Sequence, residues 1–194
     1  MPRLQIIIAS TRPGRVGLPV AEWFRDRAEA HGGFELDVAD LAEIALPFMD
    51  EPNHPRLQKY EHAHTRAWSE RVAAADAFAI VMPEYNHSFT APLKNALDYL
   101  HVEWQHKPVG LISYGGVSAG LRAATAIKHP LVALRLVPVT DAISIPFVAR
   151  LIDDDGRLEG NAPMEQSATA MLDDLLRVQA ALRPLREPAA EAAA

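Results

Sequence analysis

Ser10, Arg12 and Arg15 stand in one short loop, Ala9-Ser10-Thr11-Arg12-Pro13-Gly14-Arg15, which follows an apolar run. Hydroxyls and planar guanidinium forks at this spacing suit phosphate oxygens. A helix beginning just after the loop would add unpaired amides and the positive end of its dipole. Pro13 and Gly14 permit the sharp turn this needs. No Gly-Lys-Ser/Thr follows, and GxGxxG spacing is absent, so a monophosphate is favoured over a diphosphate. The competing reading is a strand-to-helix turn that carries surface arginines.

Two further loops have the same setting. Pro83-Glu84-Tyr85-Asn86-His87-Ser88 gathers flat and hydrogen-bonding groups behind a second apolar run, and a planar polar ring would sit well on them. Its plainer alternative is a β-turn with Asn86 left-handed and Tyr85 packed locally. Ser113-Tyr114-Gly115-Gly116 offers backbone without obstructing side chains, so that a ligand can approach closely.

What positions these loops is an alternation of strands and helices. Leu4 to Ala9 is a nearly continuous β-branched run, the pattern of a strand buried on both faces of a parallel sheet. Val16, Val20, Phe24 and Ala28 recur at helical spacing until His31-Gly32-Gly33 stops them. Phe34 to Val38 alternates as an outer strand does. Asp40 to Arg56 carries three prolines and no period, predicting a long surface connection. A helix is expected from Leu57 to about Ala75, then a central strand over Phe78 to Met82. Thr90 and Pro92 mark the next helix start, with Leu93, Ala96, Leu97 and Leu100 on one face. Pro108 to Ile112 reads as a fourth strand, Ala119 to His129 as a helix, Arg135 to Val139 as a fifth strand, and Met164 to Leu182 as the last helix. In an open parallel sheet all three loops would emerge at the carboxyl ends of strands, where such sheets bind ligands.

The chain has 194 residues, 49% of them apolar, which suits one domain covered on two faces. We expect that domain over residues 1–183, with a frayed tail over 184–194. Nineteen Lys and Arg against 25 Asp and Glu give a net charge of −6, which argues against a general nucleic-acid or membrane surface. With no cysteine, disulfides, thiolate metal sites and cysteine nucleophiles are excluded. Neither a signal segment nor a membrane-length apolar run is visible, so a cytoplasmic location is expected.

Those three loops carry a resemblance. The chain resembles, over most of its length, the NADPH-dependent FMN reductase family, which includes quinone, azo and chromate reductases of flavodoxin-like fold. Its anchors are Ser10 to Arg15, the block from Pro83 to Ser88 running on through Ala91-Pro92-Leu93-Lys94-Asn95-Ala96-Leu97-Asp98, and Ser113 to Gly116. Ala9 stands where many relatives carry glycine.

The resemblance implies a three-layer α/β sandwich around a five-stranded parallel sheet of order 2-1-3-4-5. It implies that Ser10, Arg12 and Arg15 hold the FMN phosphate. Pro83, Glu84, Tyr85, Asn86 and His87 would line the isoalloxazine and ribityl, and Ser113, Gly115 and Gly116 would border the other edge. NADPH or NADH would give hydride to flavin N5 and leave, to be replaced by a quinone, an azo compound or free flavin. No catalytic side chain is assigned, although Asn86 and His87 are candidates for tuning the flavin. A homodimer or homotetramer is implied as well. The rival readings are a flavodoxin-like electron carrier and a flavin-binding accessory protein. Flavodoxin phosphate loops are mostly Thr- and Ser-rich, so the two arginines favour the reductase.

Other candidates lose on chemistry. His54, His62 and His64 invite a metal, but histidines two apart on a helix do not share a face, and a solvated surface explains them better. Asp153-Asp154-Asp155-Gly156 lacks the later glutamate of a calcium loop and reads as an acidic turn. Trp23, Trp68 and Trp104 are expected to pack, and no Gly-x-Ser-x-Gly elbow surrounds Ser113.

Overall fold

The structure, a computed structural model, describes residues 1–186. Three strands, β1 (Arg3–Ile8), β3 (Ala77–Pro83) and β4 (Pro108–Tyr114), form the middle of a parallel sheet, flanked by β2 (Glu35–Asp40) and by the short β5 (Val137–Pro138). The order is β2-β1-β3-β4-β5, the expected flavodoxin-like order, and a further strand, β6 (Ile143–Ile145), also pairs with β4. The expected fifth strand, Arg135 to Val139, is reduced to β5 beside Pro108 and Val109, and the unexpected β6 continues the same edge beside Ile112 to Tyr114. Pro138 has no amide to donate, which suits an edge position.

Side chains alternate across the sheet, as the double-sided apolar runs predict. Leu4, Ile6 and Ile8 face α1 (Gly17–His31) and α6 (Ala162–Leu182), where Val20, Phe24, Met171 and Leu175 meet them. On the other face Ile7, Phe78, Ile80 and Met82 pack with Trp68 of α3 (Ala63–Ala73), Leu93 and Leu97 of α4 (Ala91–Asp98), and Ile127 of α5 (Leu121–Ala133). A fully buried Ile, Leu or Phe stabilises by ~1.5–3 kcal/mol, far more than helix propensity contributes per residue. The tryptophans pack as expected: Trp68 and Trp104 meet edge-on at 6.0 Å between centroids, and their ring N–H groups donate to Ala96 O and Leu97 O.

Three boundaries differ from the sequence reading. Asp40 accepts from the Ala42 amide at 2.9 Å and so caps a four-residue helix, α2 (Leu41–Ile44), inside the expected irregular connection. The helix expected from Leu57 starts only at Ala63, because Pro55–Leu57 is a separate turn ended by left-handed Gln58, and the Glu51 carboxylate takes the amides of Glu61 and His62. α5 continues beyond His129 through Pro130 to Ala133, forgoing one amide bond within its last turn.

At the chain's end, Arg183–Leu185 form one 3₁₀ turn and the Arg186 guanidinium pairs with Asp76 at 3.0 Å, so the first residues of the expected tail are held. Residues 187–194 of that tail lie outside the described residues. His62 precedes α3 rather than sharing it with His64, and the two rings stack at 5.2 Å above Asp50. No group of metal-ligating residues occurs among the described residues, and no described helix is long and apolar enough to cross a membrane.

Candidate active site

Adjacent carboxyl ends bring the three loops together. The Ala9 amide donates to Val81 O at 2.9 Å, and the buried Thr90 hydroxyl donates to Ala9 O at 2.7 Å, fixing where the first loop leaves β1 against β3 and α4. Ser10 Oγ lies 3.4 Å from Tyr85 Oη, joining the first loop to the second. Glu84 accepts from Arg122 Nη1 at 2.7 Å and from the Arg122 amide at 3.1 Å, joining the second to the start of α5.

Within the first loop the Arg15 amide closes a turn on Arg12 O at 3.1 Å, and Gly14 takes φ +68°. The amides of Ser10, Thr11, Arg12, Gly14 and Val16 have no protein acceptor among the described residues, which leaves a ring of donors at the N-terminus of α1. Arg12 is exposed, and its guanidinium has no partner among the described residues.

Arg15 behaves differently from the expectation that pairs it with Arg12. Its two terminal nitrogens close on the two Asp40 carboxylate oxygens, and Nη1 also reaches Ser10 O at 2.7 Å. The two side chains are 16% and 7% exposed, so the fork is spent as a strut inside the loop. The hydrogen bond to Asp40 holds the guanidinium above its usual range. Burial raises the Asp40 carboxyl, but Arg15 and the Ala42 amide outweigh it and hold it below the ordinary carboxylate range.

The second loop is a two-residue hairpin. Tyr85 and Ser88 exchange both backbone hydrogen bonds, at 2.9 and 3.0 Å, while Asn86 and His87 take φ of +50° and +65°. Two successive positive φ values are the type I′ pattern. The turn reading holds for the left-handed Asn86 but not for Tyr85, which is exposed rather than packed locally; Asn86 and His87 stand exposed at the tip, behind the buried Pro83 that ends β3. Glu84 is turned toward Arg122; burial raises its carboxyl, but the Arg122 bonds outweigh this and hold it low.

Ser113 departs from its expected place at the ligand's edge. It is buried within β4, and its hydroxyl donates to Ala119 O at 2.9 Å, so it pins the third loop from below. Gly115 is bonded on both sides, to Ile145 O and from the Val148 amide, while the Gly116 carbonyl accepts from Ala119 and Phe147. The Gly116 Cα faces open space, where a side chain would meet nothing within 4 Å. Gly120, at φ +76°, lets the loop fold onto the end of β4: a Cβ there would come within 2.9 Å of the Tyr114 backbone.

Sequence reading missed Asp40, Arg122 and Tyr114. No local signal marks Asp40 or Arg122, whose roles come from partners 25 and 38 positions away. The Tyr114 ring passes under the first loop with its hydroxyl buried and without a hydrogen-bond partner among the described residues. Burial drives its pKa up, so it stays a protonated donor. Leaving such a group unpaired costs about 1–3 kcal/mol. On the flank of the first loop, Thr11, Leu41, Leu46, Phe48, Pro92 and Asn95 line a cavity of about 450 Å³.

A ring of free amides with an unpaired arginine, set between a polar hairpin tip and an open glycine backbone at the switch point of a 2-1-3-4-5 sheet, defines a flavodoxin-like mononucleotide-binding domain. The sequence profile of the NADPH-dependent FMN reductases matches residues 2–149, and the chain belongs to that family. It is accordingly an oxidoreductase that uses FMN and NAD(P)H. An NAD(P)H-dependent FMN reductase of Schizosaccharomyces pombe is 35% identical over 149 residues, covering 75% of this chain and 74% of its own. An FMN-dependent NADPH-azoreductase of Staphylococcus saprophyticus is 29% identical, covering 68% and 66%. Among solved structures, FerB, a flavoenzyme NAD(P)H:(acceptor) oxidoreductase from Paracoccus denitrificans, superposes with a TM-score of 0.74 at 19% identity, covering 93% of this chain and 98% of its own. That likeness concerns the fold.

Proposed function

We propose that this chain takes electrons from NAD(P)H and delivers them to a small acceptor, a quinone, an azo compound or free flavin, at the surface shared by its three loops. The observation that carries this reading is the set of amides of Ser10, Thr11, Arg12, Gly14 and Val16 that, like the nearby Arg12 guanidinium, have no partner among the described residues. FMN, when bound, supplies the hydride-accepting and electron-passing chemistry.

Each part of the site has its work in this reading. The amides, the Ser10 hydroxyl and Arg12 hold the phosphate, and the Arg15–Asp40 strut keeps the amides converged. Glu84, anchored by Arg122, fixes the hairpin so that Asn86 and His87 present polar groups at the ring's edge. Gly116, whose Cα faces open space, borders the opposite edge with Gly115 held beside it, while Pro83 and Tyr85 shape the floor and Ser113 acts from beneath. Phe48, Val117 and Phe147 are exposed around this surface at 86%, 80% and 43%, which supports a homo-oligomer whose neighbouring chain borders the mouth. We place the protein in the cytoplasm.

NADPH oxidation by the FMN-loaded protein, followed with a quinone, an azo dye and free FMN in turn, tests the acceptor class. Turnover well above the acceptor-free rate with at least one supports the reading. Rates indistinguishable from the acceptor-free control with all three refute it.

A further inference from the structure

Tyr114 is a core residue that carries a polar atom the core does not use. A phenylalanine would fill the same space beneath α1, yet here a hydroxyl is buried with no hydrogen-bond partner. Where that atom lies gives it a purpose. A Cβ built on Gly17 would come within 2.5 Å of Tyr114 Oη and 3.4 Å of Ser10 Cβ. The hydroxyl therefore occupies the seat a side chain would take at the first residue of the fifteen-residue α1, next to Ser10 and to the unpaired amides. From the other side Ser10 Oγ meets Tyr85 Oη only at 3.4 Å, a long contact. Ser10 is thus placed between an exposed phenol and a buried one.

We propose that Tyr114 is a positioning residue for phosphate recognition. Its Oη donates to Ser10 Oγ, which frees the Ser10 proton to point into the loop, where a phosphate ester accepts it. Tyr114 has no other acceptor to serve, and the serine has one proton to give, so the buried phenol fixes its direction. Gly17 is the enabling residue, because any larger side chain would displace the phenol oxygen. This inference rests on the reading of the first loop as the phosphate site and adds a residue that touches no ligand itself.

Its test is a comparison of FMN with riboflavin, which lacks the phosphate, by fluorescence titration of wild type and Tyr114→Phe. The variant should bind FMN about fivefold or more weakly, the loss of one oriented hydrogen bond, and riboflavin unchanged. Melting of the flavin-free proteins is the second readout: with only the Ser10 contact removed, Tyr114→Phe should melt within a few degrees of wild type, so that weaker FMN binding is not loss of fold. An unchanged FMN-to-riboflavin preference in Tyr114→Phe overturns the inference and leaves the site reading standing. A melting temperature lowered by about ten degrees or more overturns it too, since the hydroxyl would then hold the fold rather than direct one serine. If wild type itself prefers neither flavin, the phosphate site falls, and this inference with it.

Discussion

Arg15 closes its guanidinium fork on the Asp40 carboxylate, tying the first loop to the N-cap of α2 across the carboxyl end of the sheet. One carboxylate thus serves two elements, accepting from Arg15 and from the Ala42 amide. With both side chains largely buried, deleting either partner strands a charge, at a cost of about 3–5 kcal/mol. Asp40→Ala should therefore lower the melting temperature by several degrees and weaken FMN retention together. Thermal melts with and without FMN check this, and a variant that melts as wild type does would contradict the strut.

The two arginines of the loop should separate. Arg12→Ala removes a charge-assisted contact of ~1.5–3 kcal/mol from the ligand. The expected result is FMN binding about ten- to a hundredfold weaker with the flavin-free melting temperature unchanged. Arg15→Ala should lower both. Equilibrium titrations beside melts distinguish the cases.

That separation also marks how far the sequence was legible. The apolar runs at Leu4, Phe78 and Pro108 placed three central strands, because a strand buried on both faces has a pattern that local residues determine. They placed the loops as well, and the sheet order followed from the family. Partners distant in the chain were not legible: Glu51 decides where α3 begins, and Asp40 decides what Arg15 does. The contacts of Ser113 and Tyr114 were not legible for a related reason. Adjacent residues in a strand face opposite layers, so one was pinned below the loop at Ala119 while the other came up beside Gly17.

Acid should weaken the fold through the depressed carboxylates. Burial raises Asp37 as it does Asp40, but Arg71 and Gln5 outweigh it and hold Asp37 low. Because both folded values lie below the unfolded one, their stabilisation is fully present above about pH 4 and is lost as pH falls through the folded values. Stability should therefore hold from neutral pH down to about pH 4 and then decline, more shallowly in Asp40→Asn. Denaturant midpoints measured across that range check the slope, and an unchanged slope in Asp40→Asn would contradict the assignment.

The hairpin tip carries strain that glycine would relieve. His87 holds a left-handed conformation costing about 1–2 kcal/mol in a residue with a Cβ. His87→Gly should raise the melting temperature slightly while changing turnover more than FMN affinity. Paired melts, titrations and steady-state rates read all three. A loss of FMN binding larger than the loss of turnover would make His87 a holding residue instead.

The central claim is that electrons pass from NAD(P)H through FMN held on these three loops. Anaerobic stopped-flow absorbance of the FMN-loaded protein, mixed separately with NADPH and NADH, tests it most directly. Rapid bleaching of the flavin band by at least one nucleotide, reversed when a quinone is added, is the expected result. Tight FMN binding with no bleaching by either nucleotide would contradict it.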